Sequence, residues 1–292
     1  MDELALILVR GLGLGAIFAL VAMSFNIVHR SSGILNFAQG NMFVLGGVFA
    51  YAVSTPGLGL WGWLLQMLAA AIVLGVLVAA QGALTLMPLR SSVEQHSWLI
   101  TTLAAAVIIG ATILAIAGTS QLTVRSPFPG IRIMGTRTPM PYFLIVALAV
   151  FWWLALAWFH ARTITGLAIS AIAQDLEAAR AAGIRVRRLQ IIAFGISGIM
   201  VGSAGFVAAP VIAIANDSGV AYVLNGFVAA VVGGIGSNAG ALLGGALVGV
   251  AATYAAFEYG GEYQNAVSLA LLIVVLMVRP QGLFGRPAAR RF

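Results

Sequence analysis

Residues 161–190 read ARTITGLAISAIAQDLEAARAAGIRVRRLQ, and the string EAARAAG occupies positions 177–183. This is the only long charged stretch that lies between two apolar segments, which cover residues 142–160 and 190–214. Apolar segments of about 20 residues can cross a bilayer as single helices. The stretch therefore predicts a charged loop between two membrane spans.

The composition places most of the surface in lipid. The mean hydropathy is +1.05 and only 8% of the residues are charged, which is too little charge for a soluble domain. The alternation of apolar and polar residues that is typical of β-barrel strands is absent. The chain has no Cys and no Lys, which excludes thiol chemistry and a Walker A lysine, and therefore a standard P-loop ATPase. No metal site is expected, because the three His are far apart and none lies in an HExxH motif.

Apolar segments of spanning length recur along the whole chain. We predict an all-α, polytopic membrane helix bundle of about eight transmembrane helices, which forms a single domain over residues 1–292. The shorter apolar segment 222–236 is rich in Gly at its end and is expected to be a half-helix or a re-entrant segment. The predicted spans are 4–28, 36–54, 61–87, 97–118, 142–160, 190–214, 238–257 and 264–280.

The distribution of arginine predicts the orientation. The formal net charge of +7 is carried by Arg alone, and we attribute it to membrane topology rather than to nucleic-acid binding. If the loop 161–189 and the C-terminal tail are cytoplasmic, eleven Arg lie inside and three outside. This predicts that the N-terminus is outside and the C-terminus inside. The orientation requires the segment 222–236 to cross the membrane or to return on itself in a compensating way.

The predicted outer loop, residues 119–141, is rich in Pro and Gly. Such punctuation predicts turns and at most one short hairpin, not a helix. The loop carries Arg125, Arg132 and Arg137 without acidic neighbours. These residues either meet an acidic surface of a partner or belong to an ordinary solvated loop, and the sequence leaves both interpretations open.

Small residues recur at helical spacing in several of the predicted spans. Small faces of this kind let helix backbones approach closely in lipid. They indicate a tightly packed bundle, in which static packing is favoured over a sliding surface, and they do not identify a substrate. The glycines concerned are Gly195, Gly198, Gly202 and Gly205 on one face, together with the pairs Gly11 and Gly15, and Gly245 and Gly249.

Three amides follow the first predicted span. Asn36, Gln39 and Asn41 lie at the start of an apolar helix, where burial in lipid is costly unless the amides are hydrogen-bonded or face a cavity. They either form a polar lining of a transport path, or they serve as an N-cap and as interhelical hydrogen bonds. The sequence supports both interpretations equally.

The charged loop 161–189 predicts a short amphipathic helix that lies parallel to the membrane face. Thr165 or Ser170 can cap it, and Glu177 and Arg180 can pair across one turn. Gly183 can adopt the left-handed conformation that ends a helix. An apolar stripe forms along the helix, and this stripe could anchor it in a groove of a soluble partner or rest on lipid headgroups. The stripe consists of Ile172, Leu176 and Ala179.

Three stretches of the chain together resemble the permeases of the branched-chain amino-acid ABC importers, most closely the shorter of the two permease types. The EAA string, three residues and a Gly resemble the loop on which the ATPases of such importers dock. The three stretches are GLGLGAIFALVAMSFNIVHRSSGILNFAQGNMFVLGG at 11–47, TGLAISAIAQDLEAARAAGI at 165–184, and the region from FVAAVVGGIGSNAGALLGGALVGV at 227–250 to VRPQGLFG at 278–285.

The resemblance implies a bacterial inner-membrane importer. Its parts would be two permeases that form a heterodimer, two cytoplasmic ATPases and an extracytoplasmic solute-binding protein. It implies that this chain is not an enzyme and carries no cofactor, since ATP and Mg belong to the ATPases. The implied coupling residues are Gln174, Asp175, Glu177, Ala178, Ala179, Arg180 and Gly183. The implied translocation-path residues are Asn36, Phe37, Gln39, Gly40, Asn41, Gly233, Gly234 and Gly236.

The resemblance does not fix the substrate. The family often carries His where Gln39 stands, and its members handle leucine-like amino acids, amides, urea and aromatic acids. A sugar-type permease of the same superfamily would share the fold and the partners. A secondary transporter would need a buried carboxylate within a span, whereas Asp217, Glu258 and Glu262 lie near span ends. An intramembrane enzyme is the third alternative, and the sequence holds no catalytic set for it.

Overall fold

The computed structural model describes residues 2–53, 59–86, 97–133, 136–215 and 217–285, and these form a helix bundle with a short β-hairpin. Two predicted span ends, at 54 and 87, lie outside the described residues. So do four of the eleven arginines assigned to the inside, namely Arg90, Arg286, Arg290 and Arg291. In chain order the elements are α1 (Asp2–Ser32), α2 (Gln39–Val53), α3 (Gly59–Leu86), α4 (Ser97–Ala117), β1 (Ile131–Ile133), β2 (Thr136–Thr138), α5 (Pro141–Arg162), α6 (Ile164–Gln174), α7 (Leu176–Ala181), α8 (Val186–Ala208), α9 (Ser218–Gly233), α10 (Asn238–Glu258) and α11 (Tyr263–Val278).

Six of the described helices are long and apolar enough to cross a bilayer, namely α1, α3, α4, α5, α8 and α10. They confirm the prediction of a polytopic helical bundle. Helices α2, α9 and α11 are also apolar but have only 15, 16 and 16 residues. A helix of this length rises about 23 Å, which is less than the hydrocarbon core of about 30 Å.

Two predicted span boundaries need correction. The predicted span 36–54 is helical only from Gln39, because the chain leaves α1 at Gly33 in a left-handed conformation, with a φ of 72°, and stays non-helical through residue 38. The predicted span 190–214 ends as a helix at Ala208. Pro210 follows two residues later, and proline has no backbone N–H with which to continue the helical hydrogen bonds.

The glycine face of α8 lies between α3 and α2. A Cβ atom on Gly198 would stand 2.5 Å from the carbonyl oxygen of Leu74, and one on Gly202 would stand 2.7 Å from the Leu74 Cβ atom. A Cβ atom on Gly205 would meet the carbonyl oxygen of Phe43 in α2. The small residues therefore place α8 at the centre of the bundle, where 72% of its most apolar stretch is buried.

The two other glycine pairs face each other. A Cβ atom on Gly15 would lie 2.5 Å from the carbonyl oxygen of Gly245, and one on Gly249 would meet the backbone of Gly15. A Cβ atom on Gly11 would lie 2.8 Å from the Cα atom of Val250. Helices α1 and α10 thus cross at backbone contact, which agrees with static packing as the role of these pairs.

The loop between α4 and α5 contains the predicted hairpin. Strands β1 and β2 are antiparallel, with Arg132 opposite Arg137. The N–H of Leu122 donates to the carbonyl oxygen of Ile214 at 3.0 Å, and the Phe128 ring packs edge-on against Trp63 with centroids 5.2 Å apart. This loop is therefore attached to the connection between α8 and α9.

Helix α9 links two distant parts of the fold. Its connection to α8 is bonded to the α4–α5 loop through Ile214. At its other end, the carbonyl oxygens of Val232 and Gly233 accept from the N–H groups of Leu283 and Phe284 at 2.8 and 3.1 Å. The segment 209–233 thus extends from the α4–α5 loop to the C-terminal segment that follows α11.

Candidate functional site

The charged loop folds into two helices, not the single helix that the sequence predicts. Asp175 breaks the helix with extended φ and ψ angles of −153° and 107°. Its carboxylate then accepts from the N–H groups of Glu177 and Ala178, both at 3.0 Å, and so caps α7. Helix α6 is capped by Thr163, which accepts from the Gly166 N–H at 3.0 Å.

The predicted caps Thr165 and Ser170 are both wrong. These residues lie inside α6, and the hydroxyl of Ser170 donates back to the Gly166 carbonyl oxygen at 2.9 Å. The true cap, Thr163, holds the extended conformation that an N-cap requires, with φ −106° and ψ 145°.

Helix α7 ends in a Schellman motif at Gly183. The Gly183 N–H donates to the Arg180 carbonyl oxygen at 3.0 Å, and the Ile184 N–H donates to the Ala179 carbonyl oxygen at 3.1 Å. Gly183 has a φ of 78°, which suits glycine and is unfavourable for other residues. This confirms the prediction that Gly183 ends the helix.

The apolar stripe of the loop turns toward the protein. Ile172 and Ala179 are only 6% and 4% exposed and form a small core with Val186 at the start of α8, with Leu176 and Ile184 packed at its edge. The prediction that this stripe anchors the loop in a partner groove is therefore wrong. The stripe instead fixes α7 to the membrane-embedded part of the chain.

The opposite face of the loop is exposed. It carries the predicted ion pair, in which the Arg180 guanidinium donates to the Glu177 carboxylate at 2.8 Å, with side chains 57% and 78% exposed. All but one of the predicted coupling residues lie on this face, the exception being the buried Ala179. The exposed ones are Gln174, Asp175, Glu177, Ala178, Arg180 and Gly183.

Asn36 is fully buried and fully hydrogen-bonded. Its amide exchanges two hydrogen bonds with the amide of Gln81 in α3, at 2.9 and 2.8 Å, and its oxygen also accepts from the Ala38 N–H at 3.1 Å. Of the two roles left open by the sequence, the structure gives Asn36 the turn-capping and interhelical bonding role.

Gln39 and Asn41 are bonded at one end only. The amide nitrogen of Gln39 donates to the Ser197 hydroxyl of α8 at 2.8 Å, and that of Asn41 donates to the Ala106 carbonyl oxygen of α4. Within the described part of the chain, the amide oxygens of both residues are buried and accept no hydrogen bond. Such groups are costly when no water reaches them, and a Cβ atom on Gly219 of α9 would meet the Asn41 oxygen. The path-lining role of these two residues stays a prediction.

The neighbouring residues pack against α9. Phe37 lies between Phe25 of α1 and Phe227 of α9, with ring centroids 6.2 Å from each. A Cβ atom on Gly40 would meet the carbonyl oxygen of Gly219, so α2 and α9 touch at their backbones. The block 36–41 therefore contacts α9 between Gly219 and Phe227.

The second predicted group lies at the far end of α9. Gly234 and Gly236 have φ angles of 98° and 86° and form the turn to α10. Asn26 of α1 holds this turn, since its oxygen accepts from the Gly236 N–H at 2.8 Å and its nitrogen donates to the Ser237 carbonyl oxygen at 3.1 Å. Gly233 packs against Gly240. The structure thus assigns the two predicted groups to different ends of one short helix.

Three site residues were missed by sequence reasoning. Asn26, Gln81 and Ser197 are buried polar partners of the predicted residues. Two of them, Asn26 and Gln81, are isolated amides within apolar spans, a signal that could have found them because intramembrane polar residues are costly and usually have a role. Ser197 carries no such signal, since serine is common on small-residue helix faces.

The described residues thus form a tight bundle of apolar helices, and the capped helix pair α6 and α7 lies between the spans α5 and α8. The chain belongs to the family described as branched-chain amino acid transport system / permease component, whose sequence profile matches residues 7–276. It is accordingly a multi-pass inner-membrane permease.

Curated relatives support this assignment over nearly the full length. The high-affinity branched-chain amino acid transport system permease proteins LivH of Salmonella typhimurium and BraD of Pseudomonas aeruginosa are each 29% identical, covering 97% of this chain and 96% of the relative. The autoinducer 2 import system permease protein LsrC of Photorhabdus luminescens is 40% identical over only 31% of this chain. In fold alone, the chain resembles the structure of PsaBC from Streptococcus pneumoniae in complex with Fab, with a TM-score of 0.50, 14% identity, and coverage of 93% and 91%.

Proposed function

We propose that this chain is the permease subunit of an ATP-driven importer of branched-chain amino acids, coupled to its ATPases through α7. The observation that carries the proposal is the rigid mounting of α7. This six-residue helix is capped at both ends and fixed to α8 through Ala179 and Val186, while its outer face stays free. A partner that displaces α7 would therefore displace α8 as well, which is the most buried of the described spanning helices.

The rigid mounting supports docking over a lipid-resting loop. A helix resting on headgroups would present its apolar stripe to the membrane surface, whereas here the stripe is buried within the chain. The exposed face offers small Ala side chains and one ion pair, which suits a groove on a soluble partner. The proposed partners are two cytoplasmic ABC ATPases, a second permease and an extracytoplasmic solute-binding protein, and the chain itself has no catalytic role.

The proposed topology has the N-terminus outside and the C-terminus inside, in one domain of eight spans, with the short segment 222–236 as a ninth crossing. Two features support it. The segment 209–233 joins the loop predicted to be outside to the C-terminal segment predicted to be inside, as an odd number of crossings requires. The short helices α2 and α9 touch through Gly40 and Gly219. The non-helical backbone beside them is therefore surrounded by protein, which is the condition for such backbone within a membrane.

The substrate class follows from the relatives and from the chemistry beside α9. Phe25, Phe37 and Phe227 form an aromatic cluster, which suits an aliphatic side chain. The free amide oxygens of Gln39 and Asn41 suit a polar group that donates hydrogen bonds. A coupling-ion carboxylate, which a secondary transporter would need, is missing from the buried polar residues among those described.

The proposal is tested by uptake and by co-purification. The tagged chain is purified in mild detergent with its partners, reconstituted with the binding protein, and assayed for ATP-driven uptake of labelled leucine. Glu177→Lys and Gly183→Pro should each abolish uptake and loosen the ATPases, while both chains remain inserted. Glu258→Lys is the control, because it reverses the same charge on an exposed residue at the C-terminal end of α10, away from the coupling loop. It should leave both uptake and ATPase binding intact. Full uptake by the two loop variants would defeat the docking role of α7.

A further inference from the structure

A cavity of about 720 Å³ lies at the end of the bundle that carries the charged loop, which is the cytoplasmic end in the proposed orientation. Part of its lining comes from α6 and α7, through Ala173 and Leu176. Another part comes from Ile235, in the turn between α9 and α10, and from Phe284, in the segment that follows α11. The cavity thus lies between the charged loop and the C-terminal segment.

The C-terminal segment 279–285, which we call the strap, is fastened through its backbone to the inner end of α9. The Leu283 N–H donates to the carbonyl oxygen of Val232 at 2.8 Å. The Phe284 N–H donates to the carbonyl oxygen of Gly233 at 3.1 Å. The last carbonyl oxygens of a helix have no donor within the helix, so the strap supplies the partners of two of them.

Glycines bring the strap, the end of α9 and the start of α10 into backbone contact. A Cβ atom on Gly282 of the strap would meet the carbonyl oxygen of Val231, and the φ of 77° at Gly282 is one that other residues rarely adopt. A Cβ atom on Gly240 of α10 would meet the carbonyl oxygen of Gly233. These three pieces therefore form one closely packed unit, which we call the strap unit.

The coupling helices belong to a second packed unit. Ile172 of α6, Ala179 of α7 and Val186 of α8 form one small buried core, so α6, α7 and the start of α8 are held together. We call this the coupling unit. Residues of both units line the cavity, so the two units are closely packed within themselves and leave space between each other.

Apolar side chains of both units line this space. Phe284 and Ile235 of the strap unit are 49% and 42% exposed, although this end of the bundle faces water in the proposed orientation. Leu176 of the coupling unit lines the same cavity and is partly exposed. Contact among these three side chains would remove apolar surface from water, which is favourable, and none of them carries a polar group that would lose a hydrogen bond.

We propose that the cavity is the space through which the coupling unit closes onto the strap unit, and that contact of Leu176 with Phe284 and Ile235 transmits the movement of α7 to α9. The proposal rests on the proposed function, which supplies the ATPases that move α7. Its consequence lies at the inner end of α9, where the predicted path residues Gly233 and Gly234 are packed into the strap unit.

Disulfide formation tests the closure. The chain has no Cys, so Ala173→Cys and Ile235→Cys together place one thiol in each unit and no other in this chain. A disulfide requires Cα atoms within about 7 Å of each other. The rate of its formation is measured in the purified complex with and without a nonhydrolysable ATP analogue.

We expect the disulfide to form at least about tenfold faster with the analogue, because a minor closed population becomes the major one. We also expect the oxidised complex to lose uptake and to recover it after reduction. Equal rates with and without the analogue, or no disulfide in either condition, would overturn the closure. The two single-cysteine variants control for an effect of oxidation without a cross-link.

A second experiment tests the contact itself. Phe284→Ala removes the proposed contact, and Leu283→Ala is the matched control, because Leu283 is similarly exposed at 38% and does not line the cavity. Both variants keep their backbone N–H groups. We expect Phe284→Ala to hydrolyse ATP but to import less leucine for each ATP hydrolysed, and Leu283→Ala to keep the native ratio. A native ratio in Phe284→Ala argues against the contact, since loss of folded complex lowers uptake and hydrolysis together.

The native complex separates this proposal from the proposed function. If native uptake of leucine depends on ATP but the disulfide forms at the same rate with and without the analogue, the strap proposal fails and the proposed function stands. If the disulfide responds to the analogue but leucine is not taken up, the closure is supported and leucine is not the substrate.

Discussion

The stability of α7 provides the sharpest test of the coupling proposal. A helix of six residues is far below the length at which an isolated helix persists in water, so its caps and its packed core must hold it. Asp175→Ala removes the carboxylate that accepts from two N–H groups at the start of the helix. Gly183→Ala forces a side chain into a conformation with a φ of 78° at its end. Neither change touches the exposed ion pair.

The expected magnitudes follow from these two features. Loss of an aspartate N-cap costs about 1 kcal/mol, and a non-glycine residue in the left-handed region costs about 1–2 kcal/mol. The two sites lie at opposite ends of α7 and share no partner, so the costs should add to about 2–3 kcal/mol. That lowers the ratio of formed to unformed helix about 30-fold or more in the double variant.

Hydrogen exchange of residues 176–184 measures the loss of helix, and ATP-driven uptake measures its consequence. We expect each single variant to exchange faster and transport more slowly, and the double variant to lose most of its uptake. Thr163→Ala removes the cap of α6 and is the matched control. Its effect should be smaller, because α6 has 11 residues and buries Ile169 completely.

Glu177→Gln separates helix order from direct contact. The Glu177–Arg180 pair is mostly exposed, so its loss should cost less than about 0.5 kcal/mol of helix stability. If uptake falls more than this small loss of helix stability can explain, Glu177 contacts the partner directly. If the double variant Asp175→Ala, Gly183→Ala exchanges rapidly and still transports at the native rate, an ordered α7 is not needed and the reasoning is refuted.

The packing of the bundle yields two further predictions. Gly15→Ala places a Cβ atom 2.5 Å from the Gly245 carbonyl oxygen, where ordinary contact begins at 3.4 Å, so α1 and α10 must separate by almost 1 Å and the melting temperature in detergent should fall. Gly261→Ala, whose new Cβ atom would have no atom within 4 Å, should leave the melting temperature unchanged. Equal melting temperatures for the two variants would contradict the backbone contact between α1 and α10. Asn36→Leu leaves Gln81 buried and unpaired, at a cost of about 1–3 kcal/mol, and adding Gln81→Leu should recover part of it. A double variant less stable than the single would argue against the amide pair.

Local features of the sequence determined much of this protein. Runs of apolar residues predict membrane spans because the transfer of each residue to lipid depends mainly on its own side chain, and six of the predicted spans are helices of spanning length. The Pro- and Gly-rich loop predicts the hairpin of β1 and β2. Gly183 and the pair of Glu177 with Arg180 act within one or two turns, so spacing alone was sufficient to find them.

Only the tertiary structure decided what these elements face. The stripe with Ile172 and Ala179 is equally apolar whether it meets a partner, lipid or α8, and the fold places it against Val186. The role of Asn36 depends on Gln81, 45 residues away, and the crossing of α1 and α10 joins Gly15 to Gly245. Hydropathy determines which segments leave water, because it depends on each residue alone. Hydrogen bonds and backbone contacts between helices depend on two residues that are far apart in the sequence, so the local pattern around one of them does not identify the other.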